Sequence, residues 1–238
     1  MLTVSHLSKS FQLDKSKLVP VLKDVSLTAS CGEFISILGV SGSGKSTLLK
    51  CISSLLEPTG GNVILIDTNP YKLNDRKLAK LRREGISFIF QSYNLVPALP
   101  VMENITLPSR LSHKKVEKQE IVELLERMKF QADIHSFVST LSGGEQQKVA
   151  IARAILSDSQ IIFADEPTGA LDSVSRQVVF DLLRNMVNQG KCVFMVTHDI
   201  ELASYTDRAL ILKEGQIYKE LQQPNAQELY QLLETGKQ

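Results

Sequence analysis

Tryptophan is absent from the 238 residues, and cysteine occurs only three times, at Cys31, Cys51 and Cys192. Three widely spaced thiols with no Cys-x-x-Cys pair encode neither a disulfide framework nor a zinc site. No apolar run approaches the ~18–20 residues needed to cross a bilayer. The opening residues, Met1 to His6, lack the basic-then-apolar pattern of a signal peptide. These absences predict a soluble protein of a reducing compartment. An excess of charge is missing too: 27 Lys and Arg stand against 26 Asp and Glu, a net of +1, which gives no electrostatic reason to bind nucleic acid. There is no internal repeat or low-complexity tract. The remaining composition is that of an ordinary globular chain, and its length suits a single domain, 1–238, built of lobes.

Short β-branched and aromatic runs alternate with helical patterns throughout. Strands are expected at 2–4, 25–28, 34–38, 63–66, 86–90, 161–164, 193–196 and 209–212. Several are apolar at every position, as in parallel strands covered on both faces. Helices are expected at 46–56, 77–83, 116–128, 145–156 and 174–188. Glu214-Gly215 signals a hairpin with 216–221 returning. The rhythm breaks after residue 90, where Pro97, Pro100 and Pro108 precede a charged amphipathic helix. The pattern predicts an α/β core from 1–90 and 158–238, with a helical lobe inserted at 91–157.

Gly39-Val40-Ser41-Gly42-Ser43-Gly44-Lys45-Ser46-Thr47 satisfies G-x-x-x-x-G-K-[ST] between an expected strand and an expected helix, the context a phosphate-binding loop requires. Glycines let backbone N–H groups wrap phosphates without interference from Cβ, and the helix N-terminus adds partial positive charge. Gly39, Ser41, Gly42, Ser43, Gly44 and Thr47 belong to this cradle; Lys45 would reach the β- and γ-phosphates and Ser46 would offer a hydroxyl to Mg²⁺. The bland alternative is a glycine-rich surface turn.

Ile161 to Ala164 form an apolar strand that ends in Asp165-Glu166, 120 residues beyond Lys45. Ligands of open α/β sheets gather past the carboxyl ends of strands. A carboxylate there is costly without a cation, so Asp165 fits a Mg²⁺ ligand, while Glu166 can polarise a water attacking the γ-phosphate. The alternative is that these acids only cap the helix after Pro167.

Leu141-Ser142-Gly143-Gly144-Glu145-Gln146-Gln147 contains an S-x-x-E capping box, which leaves its two glycines unexplained, since each costs about 1 kcal/mol against Ala in a helix. A bare helix start suits close approach of an anion. These residues resemble the signature of ATP-binding-cassette proteins. The resemblance implies a P-loop NTPase (RecA-like) core with an N-terminal antiparallel β subdomain and an inserted α-helical subdomain. It also implies that Ser142, Gly143 and Gly144 of one subunit close over ATP held by the other subunit's phosphate loop.

The family's remaining motifs follow in order over nearly the whole chain. Phe11 resembles the aromatic that stacks on adenine, although Tyr is commoner there and a small core Phe is the alternative. Gln91 resembles the glutamine that senses the γ-phosphate and Mg²⁺. Asp172, in Ala170-Leu171-Asp172, resembles the loop that crosses the dimer interface, and His198 resembles the switch histidine. Asp165 to Ser173, with Gly169 where amino-acid importers more often carry Ser, looks like the subgroup of lipoprotein-releasing, macrolide-exporting and bacitracin-type peptide-resistance transporters.

The resemblance therefore implies an ATPase, with ATP and Mg²⁺ as cofactors, that pairs with a second copy of itself. It would power an integral membrane permease from the cytoplasmic face of the plasma membrane, exporting or removing peptides, antibiotics or lipid-like molecules, with no nucleic-acid partner. Tyr93, Leu95, Val96 and Leu99 are either core or a groove for that permease. The rival readings are a soluble family member acting on ribosomes or DNA, a small-molecule kinase sharing the phosphate loop, and an ATP-driven mechanical or signalling subunit that moves no cargo.

Overall fold

The computed structural model describes residues 1–14 and 17–234. The chain runs β1 (Leu2–Asp14), β2 (Lys17–Ala29), β3 (Phe34–Leu38), α1 (Lys45–Ile52), β4 (Gly60–Leu65), α2 (Asp75–Glu84), β5 (Ile86–Ile89), α3 (Val101–Leu111), α4 (Lys118–Arg127), α5 (Gly143–Ile155), β6 (Ile161–Asp165), α6 (Ser173–Asn188), β7 (Cys192–Val196), α7 (Ile200–Ser204), β8 (Arg208–Lys213), β9 (Gln216–Gln222) and α8 (Ala226–Glu234).

β3, β6 and β7 are buried at every position, which is why their sequences do not alternate. They form the middle of a sheet ordered β5-β6-β7-β3-β8-β9, parallel except for the final β8–β9 hairpin. One face packs on α1, with Phe163 and Phe194 stacked at 5.5 Å between ring centres. The other packs on α5 and α6, where Phe34 stacks on Phe180 at 5.2 Å. Each such fully buried apolar side chain contributes about 1.5–3 kcal/mol. A separate antiparallel sheet, ordered β2-β1-β4, covers the α1 side and completes the P-loop fold with its N-terminal β subdomain.

Several regions differ from the sequence reading, two of them markedly. β1 and β2 are 13 residues each, far longer than the apolar cores expected at 2–4 and 25–28. Their pairing slips at several bulges, and His6 and Asp24 adopt positive φ, so the period-two pattern breaks although the ladder continues. The second is α3, hidden by prolines. Pro100 sits at its N-cap, where no N–H is needed, and Pro108 lies inside it. Buried Asn104 anchors the entering loop: its Oδ1 accepts from Val96 N at 2.8 Å, while Nδ2 donates to the carbonyls of Val96 at 3.1 Å and Leu99 at 3.0 Å. The short α7 and α8 are also additions. Among the described residues, no helix is long and apolar enough to cross a membrane.

Candidate active site

Past the end of β3 the chain turns at Gly39 so tightly that a Cβ there would lie 2.2 Å from the Leu212 carbonyl oxygen and 2.7 Å from Ser43 Oγ. Glycine alone lets the loop leave the sheet at this point. Ser43 is buried, and its carbonyl accepts from Gly215 N at 3.1 Å, fastening the loop to the β8–β9 turn. α1 then begins at Lys45 with no side-chain cap and no acid in its first turn, so its positive end is left for an anion. Ser41 and Gly42 are exposed at the crown, with Gly44, Ser46 and Thr47 half-buried behind them.

Lys45 folds back on its own loop, its Nζ donating to the carbonyls of Gly39 at 2.8 Å and Val40 at 3.0 Å. Burial pulls its pKa below the ordinary lysine range, against the opposing pull of Glu166 and Asp165. The ammonium is thus held by neutral oxygens, and phosphate oxygens would give it stronger, charge-assisted bonds. Ser46 Oγ donates to Asp165 Oδ1 at 3.0 Å. Asp165 closes β6 and is only 4% exposed; burial raises its pKa, with the Ser46 bond and Lys50 and Lys45 working against that rise. A hydroxyl and a half-compensated carboxylate form a hard-oxygen pair of the kind that suits Mg²⁺.

Glu166, one residue on, is held in the left-handed region at φ 52°, a conformation that costs a non-glycine residue about 1–3 kcal/mol. Its surroundings enforce it. The backbone N–H donates to Val196 O at 3.0 Å, and the carbonyl accepts from Gly169 N at 3.3 Å and from Gln147 Nε2 at 3.1 Å. The carboxylate Oε2 lies 2.8 Å from Nδ1 of exposed His198. Burial raises the Glu166 pKa, and the neighbouring His198 counters it. A carboxylate made more basic and steered by an imidazole is equipped to receive a proton from water. Neither acid caps the following helix: α6 is capped by Asp172, whose Oδ1 accepts from Ser175 N at 2.9 Å and whose Oδ2 accepts from Ser175 Oγ at 2.7 Å, bonds that hold its pKa low.

Glu166, His198 and Gln91 line one cleft of about 330 Å³ together with Tyr93, Gln147, Gly169 and Ala170. The three residues, drawn from the ends of β5, β6 and β7, converge there. Ser142, Gly143 and Gly144 do not line it. Ser142 caps α5, accepting from Glu145 N at 3.3 Å, and only this half of the capping box forms, because the Glu145 carboxylate turns to Lys148 Nζ at 2.8 Å and Gln131 N at 3.3 Å. The glycines have a packing reason within the chain: a Cβ would stand 3.0 Å from the Tyr93 hydroxyl at Gly143 and 3.2 Å from the Ala170 carbonyl at Gly144. Phe11 is 38% exposed on β1, with Lys9 Nζ 5.2 Å above its ring, so it is not a core side chain.

Two residues were given no role by the motifs, Gln147 at the end of the Leu141-to-Gln147 run and Arg153 outside every motif. Gln147 is 1% exposed and ties α5 to the Glu166 loop; Arg153 donates from both terminal nitrogens to the carbonyls of Asn94 at 2.8 Å and Tyr93 at 2.9 Å. Tyr93 and Asn94 are a left-handed pair just past Gln91, at φ 63° and 50°. The apolar cluster also resolves differently from a single groove. Leu95 packs into the core and Tyr93 faces the cleft. The larger apolar groove, about 510 Å³, runs between Leu55, Phe88, Phe90, Leu107 and Leu111, with Arg82 and Arg83 along it, and none of the four expected residues lines it.

Residues 22–169 match the family profile described as ABC transporter. The ABC transporter ATP-binding protein YvrO of Bacillus subtilis is 40% identical over 219 residues, spanning 91% of this chain and 95% of its own length. The macrolide export ATP-binding/permease protein MacB of Campylobacter jejuni is 40% identical over 220 residues, 92% of this chain but 34% of its own length, so this chain spans about a third of that relative. Among solved structures, the dimeric post-hydrolysis state of the ATP-binding cassette MJ0796 bound to ADP and Pi superposes with a TM-score of 0.88 at 36% identity, covering 94% of this chain and all of that one. MJ0796 comes from Methanocaldococcus jannaschii.

Proposed function

The chain belongs to the ABC transporter family and is an ATPase of that type; from that premise we propose that it works as one half of a head-to-tail dimer that hydrolyses ATP to drive a separately encoded membrane permease. The observation that carries this reading is the incompleteness of the single chain. Its phosphate loop, acids and cleft are assembled, while Ser142–Gly144 only border that cleft through Tyr93 and Ala170, at a capped helix start whose Ser142 and Gly143 are exposed.

In this scheme Lys45 leaves the loop carbonyls for the β- and γ-phosphates, and the bare start of α1 binds the rest of the triphosphate. Ser46 and Asp165 would hold Mg²⁺, with Gln91 beside it; the ion supplies charge neutralisation on the phosphates. Glu166 accepts the proton of the attacking water, and His198 steadies the carboxylate and touches the γ-phosphate. Ser142, Gly143 and Gly144 of the second copy bring backbone and hydroxyl dipoles to the phosphate as charge develops. Asp172 and its loop lie at the junction, and Phe11, exposed beneath Lys9, stacks on the base.

The groove of Leu55, Phe88, Phe90, Leu107 and Leu111 supports docking of an amphipathic permease helix, which would keep the dimer at the cytoplasmic face of the membrane. Similarity to MacB, itself named for macrolide export, favours antibiotics, peptides or lipid-like molecules as cargo.

Complementation tests the dimer directly. Lys45→Ala and Ser142→Arg proteins should each be inactive alone. Mixed in equal amounts they should regain about a quarter of wild-type hydrolysis, since half the dimers are mixed and each holds one intact composite site. A mixture as dead as its components would place the signature and the phosphate loop in the same chain's site and overturn the arrangement.

A further inference from the structure

Gln147 sits in the second turn of α5 and spends both ends of its amide on one loop: Nε2 donates to Glu166 O at 3.1 Å, and Oε1 accepts from Ala170 N at 3.0 Å. A planar amide bound at both ends fixes distance and orientation together. What it fixes is the left-handed Glu166, a conformation that relaxes unless its surroundings over-determine it. Relaxation would rotate the peptide and swing the carboxylate away from His198. The same helix begins five residues earlier with the Ser142 cap, and Gly144 rests against the Ala170 carbonyl. A helix moves as a stiff body, so any displacement of its start is delivered through Gln147 to Glu166.

Stability alone is a weak reason for this amide. Ala170 is exposed, so its N–H can turn to water, and the Glu166 carbonyl keeps the Gly169 N–H at 3.3 Å. An apolar side chain of similar length would leave little unsatisfied behind it.

We propose that Gln147 is a positioning residue for hydrolysis: by gripping the Glu166 carbonyl from α5, it makes the aim of the Glu166 carboxylate depend on where the signature helix lies. The proposal rests on the reading of Glu166 as the residue at the attacking water.

The test compares Gln147→Met, which keeps length and loses both bonds, with Gln147→Glu, which keeps the acceptor for Ala170 and loses the donor to Glu166. Glu166→Gln is run beside them in the full chain. Steady-state ATP hydrolysis should show kcat down by about tenfold or more in both Gln147 variants, with KM for MgATP within about twofold of wild type, because sub-ångström misplacement of a reacting group costs rate while the phosphate loop is untouched. Thermal unfolding identifies a variant that has not folded, and the other then decides alone. A wild-type kcat in a folded Gln147 variant, with Glu166→Gln inactive, overturns the proposal and leaves the Glu166 reading standing. Wild-type hydrolysis by Glu166→Gln removes that reading first, and the proposal with it. A rise in KM equal to the fall in kcat would mark a general packing role and also overturn it.

Discussion

At the phosphate loop most polar groups are tied down within one chain, with the buried Ser43 Oγ and the bare start of α1 left without partners among the described residues, whereas at Ser142–Gly144 they are only held from behind. Lys45 is bonded to the carbonyls of Gly39 and Val40, Ser46 to Asp165, and Ser43 to the β8–β9 turn. The signature glycines press their inner side on Tyr93 and Ala170 and leave Ser142 and Gly143 exposed. The contrast separates two physical tasks. Binding a triphosphate requires preorganised donors, and a single chain can build those around its own sheet. Presenting dipoles to a ligand held elsewhere requires a rigid, accurately placed outer face, which is a task for a helix start buttressed by its own chain.

The comparison breaks most sharply at Lys45. Lys45→Ala should weaken ATP binding by about 100-fold, the worth of charge-assisted bonds to phosphate, even in dilute monomer; calorimetry showing unchanged affinity would mean that the loop is no cradle. Gly144→Val presses on the opposite side. Its added carbons meet the Ala170 carbonyl, so turnover should fall about tenfold while monomer affinity for ATP stays within twofold; a parallel loss of binding would show that the two regions are not separable. Phe11→Leu should cost ATP affinity about three- to tenfold, with a similar loss for GTP, because an aromatic ring stacks on either purine. Unchanged affinity for both nucleotides would move Phe11 away from the base.

The smallest effect is on stability. Asp165 and Glu166 bind protons more tightly in the folded chain than unfolded, so the contribution of the pair declines as pH rises from the ordinary carboxylate range through their raised values, and is constant above. Asp165→Asn should flatten that decline and raise the neutral-pH unfolding temperature by about 1–3 °C, at the expense of MgATP hydrolysis. Thermal scans across pH that show the same decline in wild type and variant would mean Asp165 is not the strained acid.

Much of the site was legible because its chemistry is contiguous. The run from Gly39 to Thr47 needs only a strand before and a helix after it, and Asp165-Glu166 declare themselves by ending an apolar strand. The rest was not, because its partners are distant in sequence. Gln147 meets residues 19 and 23 positions away and Arg153 meets residues 59 and 60 positions away, so neither set of contacts has a local signal, even though Gln147 closes the signature run. Likewise α3 was masked by prolines, one at its N-cap and one inside it, and the long β1–β2 ladder by bulges that scramble alternation.

Local backbone demands and periodic burial therefore lay in the order of residues itself: where the phosphate loop turns, which strands are covered on both faces, where acids meet the sheet edge, and that the β8–β9 turn closes at Glu214-Gly215. Tertiary structure alone decided which of these pieces are tied together: that Glu166 is strained and gripped from α5, that His198 rests on its carboxylate, and that the signature glycines serve packing as well as exposure. The reason is that hydrogen-bond direction and close contact depend on three-dimensional placement to within fractions of an ångström, and a one-dimensional pattern fixes placement only for neighbours along the chain.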